Sequence, residues 1–401
     1  MKKFFLTALA ALCCIALFAQ EKGLDYSGKI ETLWGAAAPW TDHDSAAGRW
    51  TLGDISLNGK LDAYYSDSSA RADGTVKYDA VSSSYEFSLN ELWVDYTNSV
   101  FGVRAGRQKA AWGKADGVDI TNTVFAKDMS TLSALLKDDN KLPIDGLRLS
   151  ANGNSFAIDA YWIPFFTATK LPAKIEAAKP ELAIWNGEWG LKAAGYFSML
   201  DVSLYAFYGW DKTPVADYST ASGQHERLAM IGADAAIPIG QTVLRAEAAF
   251  FPQRRFQKTA QRILAQKAAG GQSESSAAKN QLCGLLGLDW MPGDWTLTAQ
   301  YYCDVVFKSL EGLDRSYEYI HGATLSVSKK FLSETLTVSF KALVEFNDLS
   351  FVLYPSATYS VTDQLKVKGG ACIFVPGPNK EGSYGAYKDL SSFFVGANFC
   401  F

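Results

Sequence analysis

Eighteen segments of this chain alternate apolar and polar residues with a period of two, and the connections between them alternate in length as well. The segments lie at 24–36, 50–65, 70–82, 85–97, 100–109, 145–152, 155–163, 188–199, 201–211, 226–238, 242–251, 282–291, 295–306, 318–329, 334–347, 350–361, 364–374 and 390–401. Most hold the roughly 9 to 11 residues with which a tilted strand crosses a bilayer. In the second, Ile55, Leu57, Leu61, Ala63 and Tyr65 share one face, while Asp54, Ser56, Asn58, Lys60 and Asp62 share the other. One face suits hydrocarbon and the other water. Tight turns at 66–69, 98–99, 152–154, 238–241, 292–294 and 362–363 separate longer connections at 37–49, 110–144, 164–187, 212–225, 252–281, 304–317 and 375–389. Two outer connections, at 81–84 and 347–349, are short exceptions. Short turns on one side and long loops on the other predict an all-β transmembrane antiparallel β-barrel with both termini periplasmic. The expected count is about eighteen strands, sixteen being the other number compatible with drifting boundaries. A secreted β-sandwich would not sort its loops by length in this way.

The two ends of the chain agree with that expectation. In residues 391–401, Phe393, Val395, Ala397, Phe399 and Phe401 share one face, and the chain stops in mid-strand on an aromatic residue. Such an ending calls for pairing with the first strand to close a cylinder. It resembles the carboxy-terminal signature by which outer-membrane barrels are recognised, which implies the barrel-assembly machinery and outer-membrane lipid as partners. At the other end, Lys2 and Lys3 precede an apolar run at 4–18 and the small residue Ala19. That layout reads as a signal peptide, residues 1–19, leaving a single barrel domain over 20–401. Cys13 and Cys14 raise lipidation as an alternative, but Leu12 is a poor residue before a lipidated cysteine. No later stretch is apolar for the roughly 18 residues that a spanning helix needs.

Composition narrows the function classes. The chain holds 33 Gly, 19 Tyr, 24 Phe and 11 Trp, yet its mean hydropathy is −0.04, as expected when lipid-facing and water-facing positions alternate. The formal net charge of −4 becomes −6 once Lys2 and Lys3 leave, which argues against nucleic acid as a partner. Cys283, Cys303, Cys372 and Cys400 lie inside strand patterns at no metal-ligand spacing, so no metal or cofactor is expected. The three histidines, His43, His225 and His321, form no catalytic motif. Asp42 beside His43 is the one acid–base pairing, and adjacent loop residues rarely form a dyad, so no enzyme is expected. Trp290 and Trp295 flank one turn, and Tyr161, Trp162, Trp189 and Trp210 lie near strand ends, as girdle residues do.

Candidate pore-lining or constriction residues come from one strand pair and one loop. Alternation in the fourth strand slips by one residue after Leu89, so a bulge at Asn90 and Glu91 would turn Glu91 inward. A two-residue hairpin at Asn98 and Ser99 sets Glu91 opposite Gly106 and lets it meet Arg104 diagonally across the wall. The 110–144 connection is long for an idle loop, and 131–137 is helix-compatible, so an inward fold is expected, a surface loop being the other reading. Lys114, Asp116, Asp119, Lys127 and Asp128 would then face Arg104 and Gln108 across the narrowest point. Arg107 is ambiguous, since its parity follows lipid-facing Val103 and Ala105. The 252–281 loop carries Arg254, Arg255, Lys258, Arg262, Lys267 and Lys279 against Glu274, a cationic segment fit for an anionic glycan or a solvated face. The expected inner wall mixes signs: Arg71, Asp73, Lys77, Asp79, Arg148, Lys192, Arg245, Glu247, Lys341 and Lys366. Mixed lining suits a water-filled channel without strong charge selection.

The run Leu89-Asn90-Glu91-Leu92-Trp93-Val94-Asp95-Tyr96, then Gly106-Arg107-Gln108 and Trp112-Gly113-Lys114-Ala115-Asp116, resembles the core of the DUF1302 family of Gram-negative outer-membrane barrels. Ile163-Pro164-Phe165-Phe166 and Lys170-Leu171-Pro172 are similar to that family's proline-bearing outer loop. Lys114 stands where the family usually carries an acid. Alginate-export porins, also eighteen-stranded, are a more distant likeness. The resemblance implies a porin-like barrel. The function expected is passive passage of small hydrophilic or amphiphilic solutes, the alternative being a non-conducting surface protein whose outer loops bind a host or envelope ligand.

Overall fold

The computed structural model describes residues 23–38, 47–110, 112–115, 117–137, 139–172, 177–218, 222–270, 274–378 and 382–401. The expected signal segment, His43 and Asp116 lie outside the described residues. In chain order the strands are β1 (Leu24–Ala37), β2 (Trp50–Tyr65), β3 (Ser68–Asp79), β4 (Ser84–Thr97), β5 (Phe101–Gln108), β6 (Ile144–Asn152) and β7 (Phe156–Phe165). There follow β8 (Ala177–Ala178), β9 (Glu188–Phe197), β10 (Leu200–Trp210), β11 (Val215–Asp217), β12 (Ser222–Gln224), β13 (Arg227–Ile239) and β14 (Thr242–Gln257). The last are β15 (Ser276–Trp290), β16 (Trp295–Val306), β17 (Tyr319–Phe331), β18 (Leu336–Glu345), β19 (Ser350–Ser360), β20 (Leu365–Val375) and β21 (Ser392–Cys400). Eighteen of these form one sheet, each antiparallel to its sequence neighbour. The short β8, β11 and β12 make a separate three-stranded sheet within the outer connections, which the sequence rhythm did not show.

The sheet closes where β1 meets β21, in register from Lys29 opposite Cys400 to Ala37 opposite Ser392. Two further bonds tie Gly28 and Phe401, N–H to carbonyl in both directions, at 2.8 and 3.0 Å. A side chain at position 28 would collide with the Phe401 ring, its Cβ falling 2.3 Å from Cζ, so glycine leaves room for that ring beside the first strand. The alternation works as read. Phe393, Val395, Phe399 and Phe401 are exposed on the outer face, whereas Asp54 and Asp62 of β2 are buried on the inner face beside exposed Ile55 and Leu57.

Departures from the strand rhythm have local causes. The bulge in β4 is present: Asp73 faces Glu91 and Gly74 faces Leu89, leaving Asn90 as the extra residue. The Asn90 amide donates to Asp73 and Thr75 at 2.8 Å each, and Asn58 donates to the same two side chains, so the extra residue is tied into the wall. The hairpin after β4 differs from the expected one. The Asn98 side chain accepts from the N–H groups of both Val100 and Phe101, which centres the turn on Ser99 and Val100. Trp93 therefore faces Gly106 and Asp95 faces Arg104, a register two residues away from expectation.

The expected 252–281 loop is shorter, because β14 and β15 continue past Pro252. Phe251 pairs with Gln281, Pro252 and Gln253 bulge out, and the ladder resumes with Arg254 opposite Lys279. Gln253 sits at φ 52°, and its N–H donates to the Asn280 side chain, so the bulge replaces the ladder bond that proline cannot make. Between the two strands, a helix at Ala260–Ala268 is capped by the Thr259 hydroxyl, which accepts from the Arg262 N–H. A second short helix, Leu132–Leu135, lies in the 110–144 connection.

Closure makes the terminal aromatic residue structural. Deleting residues 399–401 should abolish the heat-modifiable band of the folded barrel on electrophoresis, and Gly28→Val should weaken it. Normal folding of the deletion would show that the β1–β21 ladder is dispensable.

Candidate functional site

The inner face carries charged residues that lie opposite one another across neighbouring strands. Asp62 faces Arg71, Arg104 faces Arg148, Asp159 faces Lys192 and Asp234 faces Glu247. Opposite signs need no further help, but like charges directly opposite destabilise a sheet. The Arg104–Arg148 pair is relieved by Asp95, whose carboxylate lies 2.9 Å from Arg104 and 3.6 Å from Arg148. Arg104 also stacks on the Trp93 ring, 3.9 Å from its centre. Glu91 does turn toward the polar side, but its partners are Arg71 at 3.0 Å and the Trp93 indole and Lys109 backbone N–H groups at 3.2 Å rather than Arg104. The two-residue register shift kept both side chains on their expected face and exchanged their partners.

Another like-charge pair, Asp234 and Glu247, is relieved from the long connection. Glu247 accepts four hydrogen bonds from it: the backbone N–H groups of Lys114, Ala115 and Thr121 and the Thr121 hydroxyl, at 2.7 to 2.9 Å. The Lys114 ammonium lies 3.0 Å from Asp234 and also donates to the Asp201 carbonyl. Asp234 in turn accepts from the Tyr205 hydroxyl, and Arg245 donates to the Lys114 carbonyl at 2.9 Å. Gly113 makes this approach possible. Its φ is 82°, and a Cβ there would fall about 3 Å from both Thr121 and Glu247.

Apolar contacts fix the same segment. Trp112 is 1 % exposed, its ring against Tyr161 and Tyr205, and its indole N–H donates to the Thr121 carbonyl. Ile120, Val124 and Phe125 join a core with Phe207, Met230, Phe251 and Leu285. Farther on, Leu132 packs with Leu52, Cys372, Phe374 and Phe394 of β2, β20 and β21, and Lys77 of β3 donates to Ser133. Round the eighteen-strand ring, β14 and β2 are nine places apart.

The remaining expected residues are used differently from expectation. Lys127 pairs with Asp119 at 2.6 Å inside the connection. Asp128 binds Ser130 and Lys170; burial pushes its carboxyl up, but these bonds outweigh that and hold it below the usual range. Gln108 is buried, donating to the Gly146 carbonyl. Lys114, Asp119, Lys127 and Asp128 pair with other residues instead of facing Arg104 and Gln108 across a gap. Arg107 makes a two-pronged pair with Asp145, at 2.6 and 2.8 Å. Sequence reasoning missed Asp95, Tyr205 and Asp234. Two of them are mid-strand acids on a polar face, a signal that was available.

Toward the long-loop end, a cavity of about 800 Å³ opens between Asp211, Arg254, Asp304, Arg315, Glu345 and Asp348. Arg254 pairs with Asp211 at 2.8 Å, and Arg315 with Asp304 at 3.1 Å. Asp348 accepts the Ser350 and Ser383 N–H groups; burial raises its carboxyl, and the bonds to Ser350 and Ser383 bring it below the usual range. His225 is buried against Phe166 with its Nδ1 on the Asp211 carbonyl, and His321 lies among Tyr301, Tyr319 and Phe346. Cys283 and Cys372 are buried, and Cys400 is exposed.

Glu247 is the fastening of the connection. Ordering its three backbone donors costs about 3–6 kcal/mol at 1–2 per residue, and bonds to a charged acceptor contribute about 1.5–3 kcal/mol each, so four outweigh it. Glu247→Ala should release residues 112–125, read as faster amide hydrogen exchange there with the strands still protected. Glu247→Gln should fall between, because it keeps the shape and loses the charge.

Comparison with known proteins follows the fold. Acinetobacter baumannii OccAB3 superposes with a TM-score of 0.57 at 8 % identity, covering 94 % of this chain and 99 % of its own. Pseudomonas aeruginosa OpdK, solved with vanillate, gives 0.55 at 11 % identity over 94 % and 98 %. Pseudomonas aeruginosa OccK8 (OprE) gives 0.55 at 10 % over 94 % and 97 %. No curated protein sequence matches the chain. The sequence profile of one family, described as a protein of unknown function (DUF1302), matches residues 56–350, and the chain belongs to that family.

Proposed function

We propose that the protein is an outer-membrane channel through which small hydrophilic or amphiphilic solutes pass passively. The observation that carries this reading is the closed eighteen-strand cylinder with apolar residues outside and a belt of paired charges inside. A barrel packed for stability alone fills its interior with side chains in layers; one lined by ionised groups keeps water against them. The vanillate bound in the OpdK structure is a small carboxylate, and a belt including Arg71, Arg104, Arg148 and Lys192 suits brief contacts with solutes of that kind. The neighbouring acids keep such contacts weak.

The connection at 112–137 serves in this reading as the constriction. Fastened to β14 at Glu247 and packed at Leu132 against β2, β20 and β21, it would cross the bore between opposite walls. Arg104 and Arg148, with Asp95 between them, would line the open side together with Lys192. The cavity at the long-loop end would be the mouth, and a signal peptide at 1–19 would deliver the chain to the periplasm for insertion.

Single-channel recording of the refolded protein tests this. Shortening residues 113–140 should raise conductance and leave barrel assembly intact, since neighbouring strands keep their own hydrogen bonds. Folded wild type and shortened forms that both fail to conduct would transfer the reading to a surface protein acting through its outer loops. A separate recording addresses the belt. Arg104→Ala should shift ion selectivity modestly toward cations, because Asp95 keeps only Arg148 as its counter-charge.

A further inference from the structure

The outer face of the barrel carries a groove that the channel reading does not use. It has a volume of about 610 Å³ and runs over the outward residues of β6, β7, β9, β10, β13 and β14. Register explains its shape. One row across the strands holds Trp162, Trp189 and Tyr208 as successive opposite neighbours and ends on Ala229. The next row places Ala160 opposite Leu191, and Leu191 opposite Ala206. Small residues among large aromatic ones leave a hollow here. Its volume falls in the range of about 300–1,000 Å³ that holds small ligands.

A cation stands directly above the hollow, on the long-loop side. Arg227 begins β13 two residues before Ala229 and faces Trp210, its guanidinium 3.8 Å from the indole centre and 5.4 Å from Tyr208. Its Nη2 donates to the Asn186 amide oxygen at 2.9 Å and to the Trp185 carbonyl at 3.5 Å, and its buried Nη1 has no hydrogen-bond partner among the described residues. Aromatic faces and two neutral oxygens therefore surround this charge, and among the described residues no carboxylate pairs with it. The Trp162 indole N–H is likewise unpartnered among the described residues. Beside Arg227, Leu182, Ile184 and Trp185 are each about three-quarters exposed, in a turn held to the barrel by the Trp210 indole N–H on the Asn186 carbonyl. Apolar residues placed outward at the level of an interfacial arginine suit the headgroup boundary of a leaflet.

We infer that this groove binds one phosphate-bearing lipid of the outer leaflet, its acyl chain along Ala160, Ala206 and Ala229 and its phosphate at Arg227. The charge settles the occupant. A second copy of this chain would have to bring an acid to Arg227, and its own matching surface presents the same arginine. An uncharged lipid would fill the groove and leave the guanidinium unmatched. The inference rests on the membrane-spanning reading of the barrel and not on conduction.

Native mass spectrometry of the full protein, purified and delipidated in detergent, tests it with dioleoyl phosphatidic acid, dioleoylglycerol and inorganic phosphate as probes. Wild type should retain phosphatidic acid more tightly than dioleoylglycerol. Arg227→Gln should weaken the phosphatidic acid complex about fivefold or more, as expected for one cation at a lipid surface, and leave dioleoylglycerol unchanged. Arg227→Lys should restore most of the difference. Ala206→Phe, an apolar change on a lipid-facing position, should weaken both lipids while the heat-modifiable barrel persists. Equal phosphatidic acid binding in wild type and Arg227→Gln would overturn the inference. So would displacement by inorganic phosphate at equal concentration, or a dimer abolished by Ala206→Phe. In each case, continued insertion of the variants into vesicles would show that the membrane-spanning reading still stands.

Discussion

Hydrocarbon offers no partner to a backbone N–H or carbonyl, and the rest of this structure depends on that fact. An open sheet of eighteen strands would present two unpaired edges to lipid. Pairing β1 with β21 removes both, and the final aromatic residue is seated by an unsubstituted Gly28. Closure forces every strand to show one face outward, so the period-two pattern is obligatory along the whole chain. It also explains where irregularity is tolerated. The bulge at Asn90 supplies its own side-chain bonds, and the one at Pro252 and Gln253 lies toward the long-loop end, where Asn280 satisfies the freed N–H.

Closing the cylinder gathers the polar faces into a small volume, and their charges must then be balanced against each other. Several places on the wall set like charges opposite, and two of them are balanced by different means. Arg104 and Arg148 share Asp95, a neighbour on the wall itself. Asp234 and Glu247 draw on Lys114 and on backbone donors of the connection. The acid pair is thus also the dock of that segment. A single electrostatic problem in the sheet fixes the position of the largest irregular element. Lys114 supplies the cation that this dock needs.

The outer surface follows a different logic. On the outward face of a transmembrane barrel, side-chain size sets the contour and any charge is conspicuous. Arg227 is held by aromatic faces beside a hollow of small residues, whereas the arginines of the inner wall each meet a carboxylate. The same residue type therefore has two electrostatic environments in one barrel, and only the inner one is balanced by the protein.

The strand rhythm, the sorting of the connections and the β4 bulge were legible in the sequence, because each is a consequence of local periodicity under a two-sided solvent. Alternation even survives a register error. Glu91 and Arg104 remained on the polar face although the Asn98 turn moved their pairing by two residues, since a shift of two preserves the face. The partners themselves were decided only in three dimensions. Nothing local to Glu247 announces that four donors from residues 114–121 will converge on it, and nothing near Leu132 announces Phe394. These contacts join parts of the chain more than a hundred residues apart, which meet because the sheet closes. Periodicity determined which side of the wall each residue would face, and closure decided what it would find there.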